Sequence, residues 1–513
     1  MDLRQAVGLL GIVLAAIAAQ LNDQVLSTAL PDIAGAVGLS VDQASWLRTL
    51  FVTGEVMGMC VSPSLGLGFS FRHFALFAIA MNTVPTLLMA LVGTGGGGAV
   101  PLLALRLLQG LGAGFTIPLL MTIALRVLGP DIRLYGLAVY AMTATLTPNL
   151  ATSFAALWID GVEHWQFVFL GVIPWSTAAA LCVWWGLKQE PPQYARLRQF
   201  DWWGLLLVAL GFGPLSIVLE QGDRLGWFDS QLIAVLTLVS VVAIPLLFVR
   251  ERFAAVPLMR FDLLARRNFT YPVVTLIVLL VITLGASQIP LTFLEQVRGY
   301  RPLQAHLLTL EVAVPQILLL PATAWLLDHE RVDARWVNAA GYLLILAGCF
   351  LDAHVTSEWG LAQFAPAQAL FAVGFAWVVM PLLMIATNSI KPDEGPYGSA
   401  LVNTPRAVAE AIGVWALALI THWRGGTHRV RITELLGENR LLLGQLGVLP
   451  PDPQSPAARV PLSALEAEIE RQVTVLTTID CYVVVAALAL GLLILLALLP
   501  TRTYPPRIAL AGQ

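Results

Sequence analysis

Arg106-Leu107-Leu108-Gln109-Gly110-Leu111-Gly112-Ala113-Gly114 sits inside an apolar run from about residue 101 to residue 128. A run of roughly 28 such residues is long enough to cross a bilayer as a helix. It nonetheless carries a guanidinium, which keeps its proton in any protein setting, about one turn from its start. A cation at that depth is costly unless it faces protein or water, which makes it a functional candidate by default. Gly110, Gly112 and Gly114 follow, and small residues let a second helix approach closely. Two readings stand at this point: a glycine packing face whose arginine reaches back to the interface, or a charged site inside a helical transporter. The rest of the chain favours the second.

Of 513 residues, 58% are hydrophobic and 12% charged. Soluble domains carry about 25% charged residues, so half that share marks a membrane protein. A net charge of −3 gives no electrostatic footprint for nucleic acid. Cys60, Cys182, Cys349 and Cys481 lie scattered in apolar runs, with no CxxC pair or Cys/His cluster. Neither a zinc site nor a disulfide framework is expected, and no cofactor. The tract 93–98, glycine but for Thr94, lacks the Lys-Ser/Thr and the strand of a phosphate loop and reads as a turn. His329-Glu330 lacks the second histidine of a zinc motif. His73, His164, His306, His354, His422 and His428 fall near span ends, where solvation is expected. Arg4 followed by residues 7–19 has the shape of a signal peptide, but apolar character resumes through Leu30, so an uncleaved first span is expected.

Apolar segments recur at about 7–31, 45–66, 74–94, 99–127, 134–157, 166–187, 203–220, 231–249, 271–293, 304–327, 337–353, 361–387, 398–423 and 479–500. Each covers most or all of roughly 30 Å of hydrocarbon, which predicts an all-α integral membrane protein of about fourteen spans. With a cytoplasmic N-terminus, the inner loops hold Arg72, Arg126, Arg133, Lys188, Arg196, Arg198, Arg250, Arg252, Arg260, Arg266, Arg267, Arg331, Arg335 and Lys391. The outer loops hold only Arg48, Arg224, Arg298 and Arg301. That asymmetry places both termini inside. The long segment 424–475 then falls outside. It contains the turn-rich Pro450-Pro451-Asp452-Pro453 and a predicted helix opened by a Ser463–Glu466 capping box, with Leu462, Leu465, Ile469, Val473 and Leu476 at helical spacing. That helix reads either as a stalk continuing the last span or as a docking surface.

Leu21–Pro31, Arg106–Gly112, residues 165–174 and 328–336, and Asn403–Arg406 with Gly413 together resemble one family, the fourteen-span drug:proton antiporters of the major facilitator superfamily (EmrB/QacA-like). Leu21-Asn22-Asp23-Gln24-Val25-Leu26-Ser27-Thr28-Ala29-Leu30-Pro31 is similar to its first-span motif, and Arg106–Gly112 to its fourth-span R-x-x-Q-G-x-G. Residues 165–174 resemble the start of its sixth span, residues 328–336 its second-half turn, and Asn403-Thr404-Pro405-Arg406 with Gly413 its thirteenth-span motif. The similarities cover the chain in order. They imply two six-helix bundles, 1–187 and 251–500, joined by a linker 188–202 and two inserted helices 203–250, with a cytoplasmic tail 501–513. They also imply a multi-pass protein of the bacterial inner membrane that exports small toxic amphipathic compounds against protons by alternating access. A membrane-fusion adaptor and an outer-membrane channel are the implied partners. Departures are clear. The family's first-span Asp is Asn22 here, with Asp23 one residue on, and the loop motif at 65–73 keeps Arg72 but loses its acid. Of the fifth-span motif only the Pro148 kink survives.

Proton coupling needs a carboxylate poised between burial, which favours its neutral form, and a nearby cation, which favours the charged one. The acids within spans are Asp23, Glu55, Glu311 and Glu410. Asp23, Glu55 and Glu410 are candidates for coupling, with Arg106 as the group that holds one of them ionised. Glu410 stands four residues after Arg406, so it reads as a proton site or as that arginine's helical partner. Glu311 is nearest a span end and reads as interfacial. Asn22, Gln109, Gly110, Gly112, Pro148, Asn403 and Arg406 are expected to support the cavity. The alternative cargo on the same fold is a specific metabolite, siderophore or organic acid. A membrane enzyme or non-transporting sensor is disfavoured, because no polar loop offers a nucleophile–base pair.

Overall fold

The structure, a computed structural model, describes residues 2–92, 99–191, 193, 198–391, 394–445, 459–497, 502 and 504–506. The glycine tract 93–98 and the proline-rich break at 450–453 lie outside the described residues. The chain folds into long helices in the expected order: α1 (Leu3–Val37), α2 (Val41–Gly68), α3 (Phe71–Val92), α4 (Ala99–Val127), α5 (Pro130–Ala155) and α6 (Gln166–Gly186). These are followed by α7 (Trp202–Gln221), α8 (Gln231–Phe253), α9 (Arg267–Arg298, broken by a turn at 284–287), α10 (Pro302–Leu327), α11 (Ala334–Asp352) and α12 (Leu361–Asn388). The last two are α13 (Gly395–Glu438) and α14 (Arg459–Leu496). Thirteen of them are long and apolar enough to cross a membrane. The other is α5, equal in length but made polar by buried Thr143, Thr145, Thr147, Asn149 and Thr152.

Hydrocarbon offers the backbone no hydrogen bonds, so helices are the means by which these runs satisfy their own amides. Proline is tolerated within several of them, and Pro148 has a local use. Its missing N–H leaves the carbonyl of Ala144, one turn earlier, without its helical donor. Both residues line the central cavity described below.

Helices pack in a pattern that repeats. Within the first six, α1 lies on α5 and α6, and α4 on α2 and α3; within the last six, α12 lies on α10 and α11, and α14 on α11 and α13. The sets meet where α2 packs on α13 and α5 on α10. These are second and fifth helices meeting fifth and second, so the two seams are equivalent under a pseudo-twofold axis. The α2–α13 seam is covered by α7, which packs on both helices and carries α8 on its other side.

Three expectations need correction. Segment 424–475 is not mainly loop: α13 runs on to Glu438 and α14 begins at Arg459, with a short helical turn at Arg440–Gln445. At 44 and 38 residues both exceed the length a bilayer requires. Hydropathy ended them early because their extensions are charged, yet those charges pair between the helices, Arg424 Nε to Asp480 Oδ2 at 2.5 Å and Arg429 Nη2 to Glu470 Oε2 at 2.6 Å. Ser463 opens no helix, because the helix has already started upstream and Pro461 sits in its first turn, where a missing N–H costs nothing. Nor is His428 simply solvated; its Nε2 lies 2.8 Å from Asp480 Oδ2.

Candidate functional site

The site begins with how closely α2 and α4 approach. A Cβ on Gly110 would strike the carbonyl of Phe51, and one on Gly114 the carbonyl of Glu55. Gly58 faces α4 in return, where a Cβ would come within 2.7 Å of the Leu111 carbonyl. The meshed glycines fix α4 in depth and thereby bring Arg106 into the protein rather than toward the interface. Arg106 is 0% exposed. Its Nε donates to the Leu47 carbonyl at 3.1 Å, Nη1 to Gln109 Oε1 at 2.6 Å and to the Asn22 carbonyl at 3.4 Å, and Nη2 to Asp23 Oδ1 at 3.1 Å. The guanidinium also sits 4.4 Å from the centroid of the Phe51 ring. The snorkelling reading is thereby excluded.

Around this ion pair lies an amide network. Gln109 Nε2 donates to Thr86 Oγ1 at 2.7 Å, and Asn22 Nδ2 to Asn82 Oδ1 at 2.6 Å. Gly112 makes room for it, since a Cβ there would come within 2.5 Å of the Asn82 backbone nitrogen. Asn22 and Asp23, about 100° apart on a helix, therefore divide the work. Asn22 ties α1 to α3 and Asp23 ties it to α4.

Asp23 has a second face. With Glu55, Glu410, Gln20, Pro148 and Arg406 it lines a cleft of about 10 Å³, the lower limit for one water molecule. Arg406 Nε lies 3.5 Å from Glu410 Oε1. With the Gln20 amide oriented to satisfy both its ends, Arg406 Nη2 donates to it at 2.8 Å, while Arg406 Nη1 has no hydrogen-bond partner. Asn403, one turn earlier, accepts from Tyr140 of α5 at 2.7 Å and donates to the Ser399 carbonyl at 2.8 Å. The structure thus brings three of the four sequence-predicted acids to one cleft between the first and last six helices. Glu311 does not join them. It is exposed on the outer stripe of α10 with Leu307, Val314 and Leu318.

Two charges at the site escaped sequence reading. Arg48, counted as a loop residue, lies within α2, and Glu220 of α7 stands 3.6 Å from its Nε. The available signal was spacing. Asp42, Ser45 and Thr49 on α2 face Arg224 and Gln221 at the end of α7, rungs that fit two antiparallel helices. Four carboxylates (Asp23, Glu55, Glu220, Glu410) therefore meet three guanidiniums (Arg48, Arg106, Arg406). Glu55 is the acid left without an ion-pair partner among the described residues.

Above the cleft, away from the end of the bundle that carries Leu3, opens a chamber of about 310 Å³ lined by α1, α2, α5, α9, α10 and α13. Both Glu410 and Pro148 face it and the cleft. At its rim Arg301 spans the two sets of helices, reaching Asp160 at 2.9 Å and Asp32 at 3.2 Å. At the opposite end the sets are closed on each other, with Ser399 Oγ donating to the Pro118 carbonyl at 2.7 Å and Ser64 Oγ to that of Pro257 at 3.3 Å. The two sets are therefore tied at both ends, with the hollow between them on the side away from the termini.

A family model described as the Major Facilitator Superfamily matches residues 12–414. The multidrug export protein EmrB of Escherichia coli K12 is 27% identical over 417 residues, which cover 81% of this chain and 80% of that protein. The fatty acid resistance protein FarB of Neisseria gonorrhoeae is 24% identical over 414 residues, with the same coverage. Among solved structures, a POT family transporter in complex with a thioalcohol conjugated peptide superposes with a TM-score of 0.59 at 12% identity, covering 95% of each chain. That likeness bears on the fold alone.

Proposed function

The chain belongs to the Major Facilitator Superfamily, and from that premise we infer that this multi-pass membrane protein is a proton-coupled secondary transporter exporting drugs or other small toxic amphipathic compounds. It is a transporter and not an enzyme. The observation that carries the coupling is the charge count around the cleft: four carboxylates, three guanidiniums, and Glu55 lining a space that holds about one water. We assign the exchangeable proton to Glu55, the acid with no cation paired to it among the described residues. Its proton leaves when the cleft is rehydrated or when Arg406 swings from Glu410 toward it. In this reading Asp23 and Arg106 are the fixed end of the cluster, Glu55 carries the proton, and Glu410 exchanges Arg406 for a proton or for cargo.

The residues 1–187 and 251–500 act as the two rocking bundles, with 203–250 inserted between them. The arginine-rich loops support a cytoplasmic terminus-bearing face, which sets the chamber in the outer half of the bacterial inner membrane. The helical extensions of α13 and α14 would then project outside. The α13 extension bears exposed Val430 and Leu435, and the short turn after it Leu442, a surface suited to a periplasmic adaptor that leads on to an outer-membrane channel.

The test uses inside-out vesicles and a panel of amphipathic drugs. Glu55→Gln and Glu410→Gln should each abolish drug-dependent proton release while leaving drug binding measurable. Unchanged release in both single variants and in the double variant would overturn the coupling assignment.

A further inference from the structure

Arg48 lies in the second turn of α2 and faces the chamber, while its counter-ion Glu220 is buried behind it and is not part of the chamber wall. At 3.6 Å the two are beyond hydrogen-bonding distance. Arg48 Nε and Glu220 Oε1 are both buried and without hydrogen-bond partners. Glu410 repeats the arrangement with the sign reversed: the acid faces the chamber and Arg406 stands behind it. The chamber floor thus shows cargo one cation and one anion, each loosely held by a residue out of cargo's reach.

The loose hold on Arg48 cannot tighten by α7 sliding. Arg224 Nη1, just past α7, donates to Asp42 Oδ1 at 2.5 Å and Gln221 Nε2 to Thr49 Oγ1 at 2.5 Å, pinning the end of α7 to α2 beside the pair. Nearby, Ser27 Oγ is buried without a partner on the chamber wall, and Thr152, Thr283, Ser287 and Thr309 add hydroxyls. The only aromatic ring on that wall, among the described residues, is Tyr300. Such a lining suits a hydrogen-bonding head group better than a flat apolar cation.

We propose that Arg48, positioned by Glu220 of the inserted helix α7, is the chamber's subsite for an anionic group on the cargo, a carboxylate or comparable monoanion. The proposal deepens the exporter reading and rests on it for the direction of transport. A carboxylate arriving from the chamber makes the paired hydrogen bonds to the guanidinium fork that Glu220 does not make. Glu220 then competes for the vacated guanidinium when cargo departs, which keeps the subsite from becoming a trap. A cargo that also bears an amine meets Glu410 alongside, so zwitterions fit the same floor. Arg48 and Glu220 act on cargo and not on the proton, which separates them from Glu55.

The test measures equilibrium binding of dansyl-undecanoic acid and of its primary amide to the full-length protein in nanodiscs. The unaltered protein should hold the acid about tenfold more tightly than the amide, the scale of one charge-assisted hydrogen-bonded pair. Arg48→Gln should erase that preference and leave amide affinity unchanged, and Arg48→Lys should retain part of it. Glu220→Gln should do the opposite, tightening the acid and sparing the amide, because it removes the internal competitor. A residue that merely supported the fold would weaken both probes together. Equal affinities in the unaltered protein, or parallel losses in Glu220→Gln, would overturn the proposal. Should Arg48→Gln fail to fold, the opposite sign expected of Glu220→Gln still decides. Amide-dependent proton release from proteoliposomes reads the exporter function separately: release without acid preference sinks the subsite alone, whereas no release with either probe sinks the exporter reading while the affinities still judge the subsite.

Discussion

Arg106 and Arg406 are both buried guanidiniums beside the same cleft, and they are held in opposite ways. Each nitrogen of Arg106 has a partner, and a ring lies against its face. All of those partners belong to the first six helices, so the group moves with one rigid body. Arg406 has one nitrogen without a partner and a 3.5 Å contact to Glu410 on its own helix, and its remaining bond reaches across the seam to Gln20 of α1. A saturated cation is an anchor, because every alternative geometry gives up hydrogen bonds. An unsaturated one straddling two bodies has little to lose by moving. The difference in bonding, rather than in charge or depth, marks which arginine is structural and which takes part in the cycle.

The largest expected effect tests the anchor. Arg106→Gln leaves Asp23 charged and buried without its partner, a loss of about 3–5 kcal/mol for breaking a buried pair. Thermal unfolding in detergent should show a markedly lower midpoint. Adding Asp23→Asn should recover more than half of the loss, since removing both charges is far milder than removing one. Arg406→Gln, by contrast, should unfold near the unaltered midpoint and yet fail in drug-dependent proton release. If the two single variants melt alike, the contrast between anchor and mover is lost.

A smaller effect sharpens the reason Arg106 is so well placed. Gly110→Ala puts a methyl into the Phe51 carbonyl, which α2 and α4 can relieve only by separating. Overpacking of this kind costs about 1–3 kcal/mol. Gly491, whose Cβ would meet nothing within 4 Å, supplies the control on α14, and alanine there should leave the melt unchanged. A harmless Gly110→Ala would mean that Arg106 is fixed by its hydrogen bonds alone.

Much of this was readable from residues in order, and the parts that were not have physical reasons. Apolar run length places thirteen helices because hydrocarbon thickness dictates it. The spacing of Arg106, Gln109 and the glycines marks a crowded helix face, and the four-residue step from Arg406 to Glu410 predicts their pairing. What Glu55 faces is not encoded locally, since its isolation depends on how Arg48, Arg106 and Arg406 are spent on other acids. Arg48 and Glu220 escaped because charges near span ends are normally solvated, and only their juxtaposition across α2 and α7 shows otherwise. The long α13 and α14 were cut short for a related reason: a charged helix beyond the membrane has no hydropathy signal, only a partner helix.

The smallest expected effect carries the comparison to the water's edge. Glu394, just before α13, accepts from Arg266 Nη1 at 2.7 Å and Nη2 at 2.8 Å, and from the Lys391 N–H at 3.1 Å. The hydrogen-bonded Arg266 holds its carboxyl below the ordinary glutamate range, outweighing the opposite push of burial. A carboxyl with a depressed value in the folded state contributes stability that is complete above its unfolded value, about 4.3, and lost as pH falls through the folded one. Arg266 is partly exposed, so screening limits the contribution to about 1 kcal/mol or less. Glu394→Gln should therefore lower the melting midpoint slightly near neutral pH, and the gap should close as the solution is taken below the glutamate range. A gap that stays constant down to strong acid would show that the ion pair is not its source, and that Glu394 acts through shape or its backbone contact instead.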